Sequence, residues 1–134
     1  MYIRFKQRTR AHNARYVFAQ KPPLVTLAAQ VVESERRDGQ PRQRVLKHLA
    51  TLKMEHEHDP KARQTFWRDA NRRLDEMALN DFTRGWLEME IAKRVSPITQ
   101  VEKALLFAEE ARRQAQEAYW RGRAEERKLR QSAE

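Results

Sequence analysis

The chain has 134 residues, 40% apolar and 35% charged, with 28 Lys/Arg against 19 Asp/Glu and a formal net charge of +9. That length holds one domain, or one small domain plus an appendage, with a modest core under a heavily charged surface. Cysteine is absent, which excludes a disulfide framework and thiolate chemistry, and no apolar run reaches signal-peptide or membrane-spanning length, so a cytoplasmic protein with no membrane partner is expected.

The charge is not spread evenly. Residues 1–54 hold 12 Lys/Arg and 3 Asp/Glu, whereas residues 55–134 hold 16 of each. The whole cationic surplus therefore lies in the first part of the chain. A segregated surplus suggests one face that meets a polyanion, DNA or RNA. The competing reading is a solvated sheet face with arginines kept for stability.

Residues 2–9 alternate Arg4, Lys6 and Arg8 with Ile3 and Phe5, the pattern of a strand with one basic and one apolar face. Arg10-Ala11-His12-Asn13 reads as a turn, and Arg15 to Gln20 as a returning strand with Tyr16 and Phe18 on one face and Val17 and Ala19 on the other. Pro22-Pro23 then ends the pairing. Aromatics interleaved with arginine suit base stacking, but Phe5 and Phe18 fit a sheet's core face better.

The most informative stretch is Leu24 to Leu52. Asp38-Gly39 suits a two-residue hairpin turn, in which both residues need φ > 0. That turn sets Arg37 opposite Gln40, Glu35 opposite Arg42, Glu33 opposite Arg44 and Val31 opposite Leu46. On the other face it sets Ser34 against Gln43, Val32 against Val45, Gln30 against Lys47 and Ala28 against Leu49. Two opposite-charge pairs fall across from each other, each contributing about 0.2–1 kcal/mol. The tip then carries Arg36, Arg37, Arg42 and Arg44. A rival is a helix opening at Pro41, because Val45, Leu46, Leu49 and Leu52 recur at near-helical spacing. The Asp-Gly rule favours the ribbon.

The string VVESERRDGQPRQRVLKHL resembles the N-terminal ribbon segment of cut-and-paste insertion-sequence transposases. The positions that carry the likeness are Val32, Glu33, Ser34, Arg36, Asp38, Gly39, Arg42, Gln43, Arg44, Val45 and Leu49, and Tyr2-Ile3-Arg4 and Tyr16-Val17-Phe18 fit it too. It covers roughly the first 50 residues and departs at Ala50, where that family usually has glycine. The chain carries no counterpart of the RNase H-like core or its acidic triad. The resemblance therefore implies a nucleic-acid-facing module derived from a mobile element, not a transposase.

Residues 53–60 form a polar break. His56 and His58 flank Glu57, with His48 upstream. Two imidazoles on one face of a strand suit Zn²⁺ or Ni²⁺, but no third and fourth ligand stand at usual spacing, so no metal is assigned and the segment reads as a solvated linker. Asp59-Pro60 announces a helix over about 60–79, as N-cap and first-turn proline. Its apolar stripe is Ala62, Phe66, Ala70, Leu74 and Met77, widened by Trp67 and Ala78, with Arg63, Arg68, Arg72 and Asp75 opposite. Asn80-Asp81 restarts the chain as a helix over about 81–95, burying Phe82, Trp86, Leu87, Ile91 and Val95 in part. Gly85 either weakens it, by about 1 kcal/mol against Ala, or marks close packing. Ser96-Pro97 ends it. Thr99-Gln100-Val101-Glu102 is a capping box that opens a helix over about 100–130. Its seam is Val101, Leu105, Ala108, Ala111, Ala115 and Ala118, beside Leu106, Phe107, Tyr119 and Trp120.

Catalysis needs a positioned nucleophile, acid–base pair or metal. Three glycines, at 39, 85 and 122, do not build a phosphate-cradling loop. Glu88 and Glu90 sit two apart on a helix, hence on different faces. The chain is read as no enzyme, without cofactors.

The expected fold is α+β. A basic β-ribbon region, 1–54, with an N-terminal antiparallel sheet or hairpin, precedes a helical region, 59–134. The expected function is a non-catalytic nucleic-acid-binding module in which Arg36, Arg37, Arg42 and Arg44 clasp phosphates or enter a groove and Arg4, Lys6, Arg8 and Lys47 extend the track. The alternative is a phage- or plasmid-encoded effector that binds and inhibits a host nucleic-acid-processing complex, as anti-CRISPR proteins do, with Trp67, Trp86, Tyr119 and Trp120 as interface anchors. A homodimer through the C-terminal alanine seam is compatible with either.

Overall fold

The computed structural model describes residues 1–10 and 24–133. The expected return strand at 15–20, with Tyr16 and Phe18, and the Pro22-Pro23 link lie outside the described residues. Arg10, expected to begin a turn, is instead the last residue of a strand. The chain divides into two compact units, Met1–Ile98 and Thr99–Glu134.

In the first unit the elements run β1 (Tyr2–Arg10), β2 (Leu24–Arg37), β3 (Gln40–Lys53), a single 3-10 turn (Met54–His56), α1 (Pro60–Glu76) and α2 (Asp81–Ala92). The strands form an antiparallel sheet in the order β1-β2-β3, and with the helices this is the α+β fold expected. The hairpin turns at Asp38 (φ 53) and Gly39 (φ 78), both in the left-handed region, as a two-residue turn requires. The 40–53 stretch is therefore strand, not helix.

From the turn, six rungs match the expected register, ending at Val32 opposite Val45. Then β3 slips twice. Val31 faces Lys47, which leaves Leu46 over, and Ala29 faces Ala50, which leaves Leu49 over. These are two bulges, each absorbing one extra residue on β3. They answer the near-helical spacing of Leu46, Leu49 and Leu52: strict alternation would split these leucines between the two faces. With the bulges, Leu49, Ala50 and Leu52 are all buried and Leu46 packs at the core's edge. A bulge also strands backbone groups that the ladder would have paired. Arg73 of α1 meets that need, donating from Nη1 to the carbonyl of Leu49 at 2.9 Å.

One face of the sheet is covered, with α1 against β3 and α2 against β1. The core joins Leu27, Ala29 and Val31 of β2, Leu49, Ala50 and Leu52 of β3, Phe66, Ala70 and Leu74 of α1, and Leu87 and Ile91 of α2, with Val95 beyond it. Ile3 and Phe5 pack at its edge. Each helix starts where its cap predicts: Asp59 accepts from the Lys61 amide and Asn80 from the Thr83 amide. The ends come about one turn earlier than the apolar stripes suggest.

Two side-chain placements differ from the amphipathic reading. Arg63, expected on the solvent side, is only 7% exposed and donates to the carbonyls of Ser96 and Pro97 at 3.1 and 3.2 Å. Trp67 donates to the same Ser96 carbonyl at 3.2 Å. Together they fasten the chain that leaves α2. Conversely, Phe82, expected to be partly buried, is 86% exposed. Gly85 has no close neighbour: a Cβ there would meet nothing within 4 Å, so the close-packing reading of this glycine does not hold.

The second unit is a single helix, α3 (Gln100–Ser132), opened by the full Thr99–Glu102 capping box. Arg113 bridges to Glu110 and Glu117 along it. None of its residues is buried; Val101, Leu105, Phe107, Tyr119, Trp120 and Leu129 are all exposed. Among the described residues, no helix is long and apolar enough to cross a membrane.

Two opposite swaps test this backbone. Ala78 carries φ 50 just past α1, so Ala78→Gly should raise stability by about 1 kcal/mol. Gly85→Ala should raise it by about 0.5–1 kcal/mol. A lowered urea midpoint in either variant would contradict the left-handed backbone at 78 or the open helix interior at 85.

Candidate nucleic-acid interface

Directly opposed residues share a face of a sheet, and faces alternate along each strand. The register therefore assigns every strand side chain to the helix-covered face or the outer face. On the outer face, β1 places Arg4, Lys6, Arg8 and Arg10, β2 adds Arg36, and β3 adds Lys53. Both strand glutamates, Glu33 and Glu35, alternate onto the other face. The outer face thus carries, among the described residues, six cations and no carboxylate. Among the described residues, none of these six takes part in an ion pair. The four on β1 are spaced about 7 Å apart, over about 20 Å.

The eight residues read from the sequence divide into three groups. Arg4, Lys6, Arg8 and Arg36 lie on the outer face. Arg37, Arg42 and Arg44 lie on the opposite side of the projecting ribbon, with Glu33 and Glu35 among them; Arg37 Nε is 3.9 Å from Glu35. Lys47 is displaced by the first bulge to the covered side, where its Nζ meets Glu76 of α1 at 2.5 Å. Arg10 and Lys53 join the outer face unforeseen. The two-residue step from Arg4 to Arg10 was visible in the sequence; Lys53 keeps the face that simple alternation from the turn gives it, since two one-residue slips cancel, and only its rung opposite Thr26 depends on the bulges.

Arg4 crosses the face. It donates to Gln30 on β2 at 2.8 Å and to Gln43 on β3 at 3.1 Å. Its path lies over Val32, which is 0% exposed between Tyr2 and Val45. Both acceptors are neutral, so the guanidinium is oriented without losing its charge.

Next to it the face dips. A depression of about 250 Å³ is lined by Lys6, Arg8, Thr26, Gln30, His48 and Thr51, around Ala28. The rungs explain it: Arg4-Gln30-His48, then Lys6-Ala28-Thr51, then Arg8-Thr26-Lys53. The middle of the middle rung is alanine. The Leu49 bulge makes His48 and Thr51 next neighbours on this face, and Thr51 Oγ1 lies 3.2 Å from His48 Nε2. The His48 pKa is lowered by partial burial first, then by the charges of Arg73 and Arg8.

The other expected sites distribute as follows. His56 and His58 stand on the 3-10 turn and just after it, each beside its neighbouring glutamate, Glu55 at 3.4 Å and Glu57 at 3.3 Å, rather than paired on a strand. Among the described residues, no three His, Cys, Asp or Glu side chains gather as a metal site. Trp67 is half-buried, edge-on to Phe66. Trp86 is 47% exposed and lines up with Phe82 and Met89, at 86% and 63%, on one stripe of α2; Lys93 Nζ sits 5.9 Å from its ring centroid. Tyr119 and Trp120 are exposed on α3 and edge-on to each other.

No protein-family model, no curated protein and no solved structure matches the chain.

The Glu76 carboxyl is held below its ordinary range, first by the hydrogen bond from Lys47 and then by its charge. A lowered carboxylate pKa stabilises the fold above the ordinary value, and that contribution is lost as pH falls through the lowered one. Lys47→Met should therefore lower the urea midpoint at neutral pH, with the gap from wild type closing in acid. A gap that persists at acid pH would place the effect elsewhere.

Proposed function

We propose that this protein is a non-catalytic nucleic-acid-binding module that holds the phosphate backbone against the outer face of its sheet. The observation that carries this reading is the separation of charge: among the described residues, six cations on one face with no acid among them. A surface built for solubility mixes both signs, as α3 does. The step along β1 is of the same order as the phosphate spacing along a strand. Phosphate contacts position a protein without reading sequence, and the outer face offers one aromatic, Tyr2, among the described residues, too few for a base-stacking platform. The grip is therefore sequence-neutral. The ribbon beyond the last three-strand rung, Glu33 to Arg44, projects five rungs, about 17 Å, and a two-stranded ribbon of this kind fits a major groove. This agrees with the mobile-element origin that the ribbon's resemblance implies.

A second reading, an effector that docks on a host protein complex, is favoured by the stripe of Phe82, Trp86 and Met89 on α2. Large apolar and aromatic residues at i, i+4 and i+7 make a groove-binding helix face.

Fluorescence anisotropy with duplex and single-stranded oligonucleotides tests the first reading. Six phosphate contacts imply an affinity loss of roughly 10³ between 50 and 200 mM salt. Lys6→Ala/Arg8→Ala should flatten the log–log salt slope by roughly 2 with an unchanged circular dichroism spectrum. Arg42→Ala/Arg44→Ala, on the acid-bearing side, should flatten it less. Salt-independent binding would sink the polyanion grip. Retention of a nuclease-resistant host partner, lost in Phe82→Ser/Trp86→Ser, would put the second reading in its place.

A further inference from the structure

We propose that the depression around Ala28 seats a single phosphate group of the bound strand. The inference rests on the polyanion reading above and narrows it to one point of contact. Ala28 leaves the centre of the face low, and polar side chains surround it on all four sides. Lys6 stands beside it on β1 and Thr51 on β3, while Thr26 precedes and Gln30 follows on the same face of β2. Arg8 and His48 occupy two of the diagonals. Two cations supply charge, and two hydroxyls, an amide and an imidazole supply directed hydrogen bonds, a donor set that matches tetrahedrally disposed oxygens. The glutamine is held ready, because its oxygen already accepts from Arg4 at 2.8 Å and its amide nitrogen remains to donate.

His48 makes the seat sensitive to pH. The charged groups that face it are Arg8 on β1 and Arg73 on α1, both cationic, with Lys6 on the rim of the same depression. Among the described residues, no carboxylate shares the outer face. Both arginines and partial burial keep the imidazole neutral at neutral pH, where Nε2 can accept from the Thr51 hydroxyl. A phosphate over Ala28 offsets the two arginines and favours the imidazolium. Protonated His48 then donates to Thr51 Oγ1, which turns the Thr51 hydroxyl proton toward the anion. The bound state therefore has the higher His48 pKa, and affinity rises as pH falls through it. Each unit of that rise is a tenfold gain in affinity once both states are protonated.

The test follows the His48 imidazole by NMR in the full-length protein. Titrants are inorganic phosphate, a short oligonucleotide without a terminal phosphate, and the same oligonucleotide 5′-phosphorylated, with affinities measured from about pH 8 to about pH 5.5. The expected result is a His48 pKa that rises on binding, several-fold tighter binding in acid, and loss of that pH dependence in His48→Gln with the salt dependence retained. Thr51→Val should weaken the coupling in the same direction. A rise with the unphosphorylated strand identifies a backbone phosphodiester as the occupant. A rise only with the phosphorylated strand and inorganic phosphate identifies a terminal phosphate. Either result supports the seat. An unchanged His48 pKa, or undiminished pH dependence in His48→Gln, overturns the seat while salt-dependent wild-type binding leaves the polyanion reading standing. A wild-type protein that binds no oligonucleotide overturns both.

Discussion

The hydrogen bond from Arg73 to the carbonyl of Leu49 holds the irregularity on which both faces of the sheet depend. A side chain's face in a strand is fixed by counting in twos, so one inserted residue exchanges the faces of everything beyond it. Here the insertion at Leu46 carries Lys47 to the covered side and His48 to the outer surface, and the insertion at Leu49 restores the alternation that keeps Ala50 and Leu52 in the core and Thr51 and Lys53 outside. A regular β3 would put His48 under the helices and turn Lys47 and Leu49 outward. The bulge carries a backbone group with no ladder partner, and an uncompensated buried carbonyl costs about 1–3 kcal/mol. A charged donor from α1 meets that cost, so the helix that covers one face also fixes what stands on the other.

The same arrangement sorts the charges. Lys47 is carried to the covered side and neutralised by Glu76. Arg63 and Arg73 are spent on backbone carbonyls, and Arg84 on Asp75 and Glu88. Those cations belong to the fold. Among the described residues, the cations of β1 face outward with no acid beside them, and Arg4 bonds to two glutamines. Net charge alone would not separate these classes; burial and partner identity do.

Much of this fold could be read from the sequence wherever a local signal fixes a backbone angle or satisfies a donor. The Asp38-Gly39 turn set six rungs of register correctly, and Asp59, Asn80 and Thr99 set three helix starts. The register failed at Leu46, because a bulge leaves no residue signature when neither glycine nor proline marks it; only the mis-spaced leucines hinted at it, and that spacing also suits a helix. Helix ends were overrun because α1 stops at a left-handed alanine rather than a glycine. Arg63 and Phe82 were placed on the wrong sides for a shared reason. Arg63 stands at helical spacing with Phe66, Ala70 and Leu74 on the buried stripe of α1, and Phe82 stands with Trp86 and Met89 on the stripe of α2 away from Leu87 and Ile91; residue type was read ahead of helical position in both. The candidate site was half legible. The alternating cations of β1 needed only a period of two, whereas the depression needed three strands in register, and His48 beside Thr51 needed the bulge.

In the proposed grip, the two parts of the sheet are suited to different tasks. Where three strands pair, the outer face is broad, cationic and almost without aromatics, which suits backbone contact and sliding more than reading. Beyond Tyr2 and Val32 only two strands continue, and the charge there changes character. Arg37, Arg42 and Arg44 share their side with Glu33 and Glu35 in near balance, and mixed donors and acceptors on a narrow ribbon discriminate base edges better than they attract phosphates. A nearly neutral tip contributes little to affinity at a distance, since attraction scales with net charge and is screened within about 10 Å at 0.1 M salt. Capture would therefore begin at β1, and the ribbon could test the groove only after the backbone is held. Any sequence preference would arise at residues that contribute little to the salt dependence, and the residues that dominate it would contribute little preference.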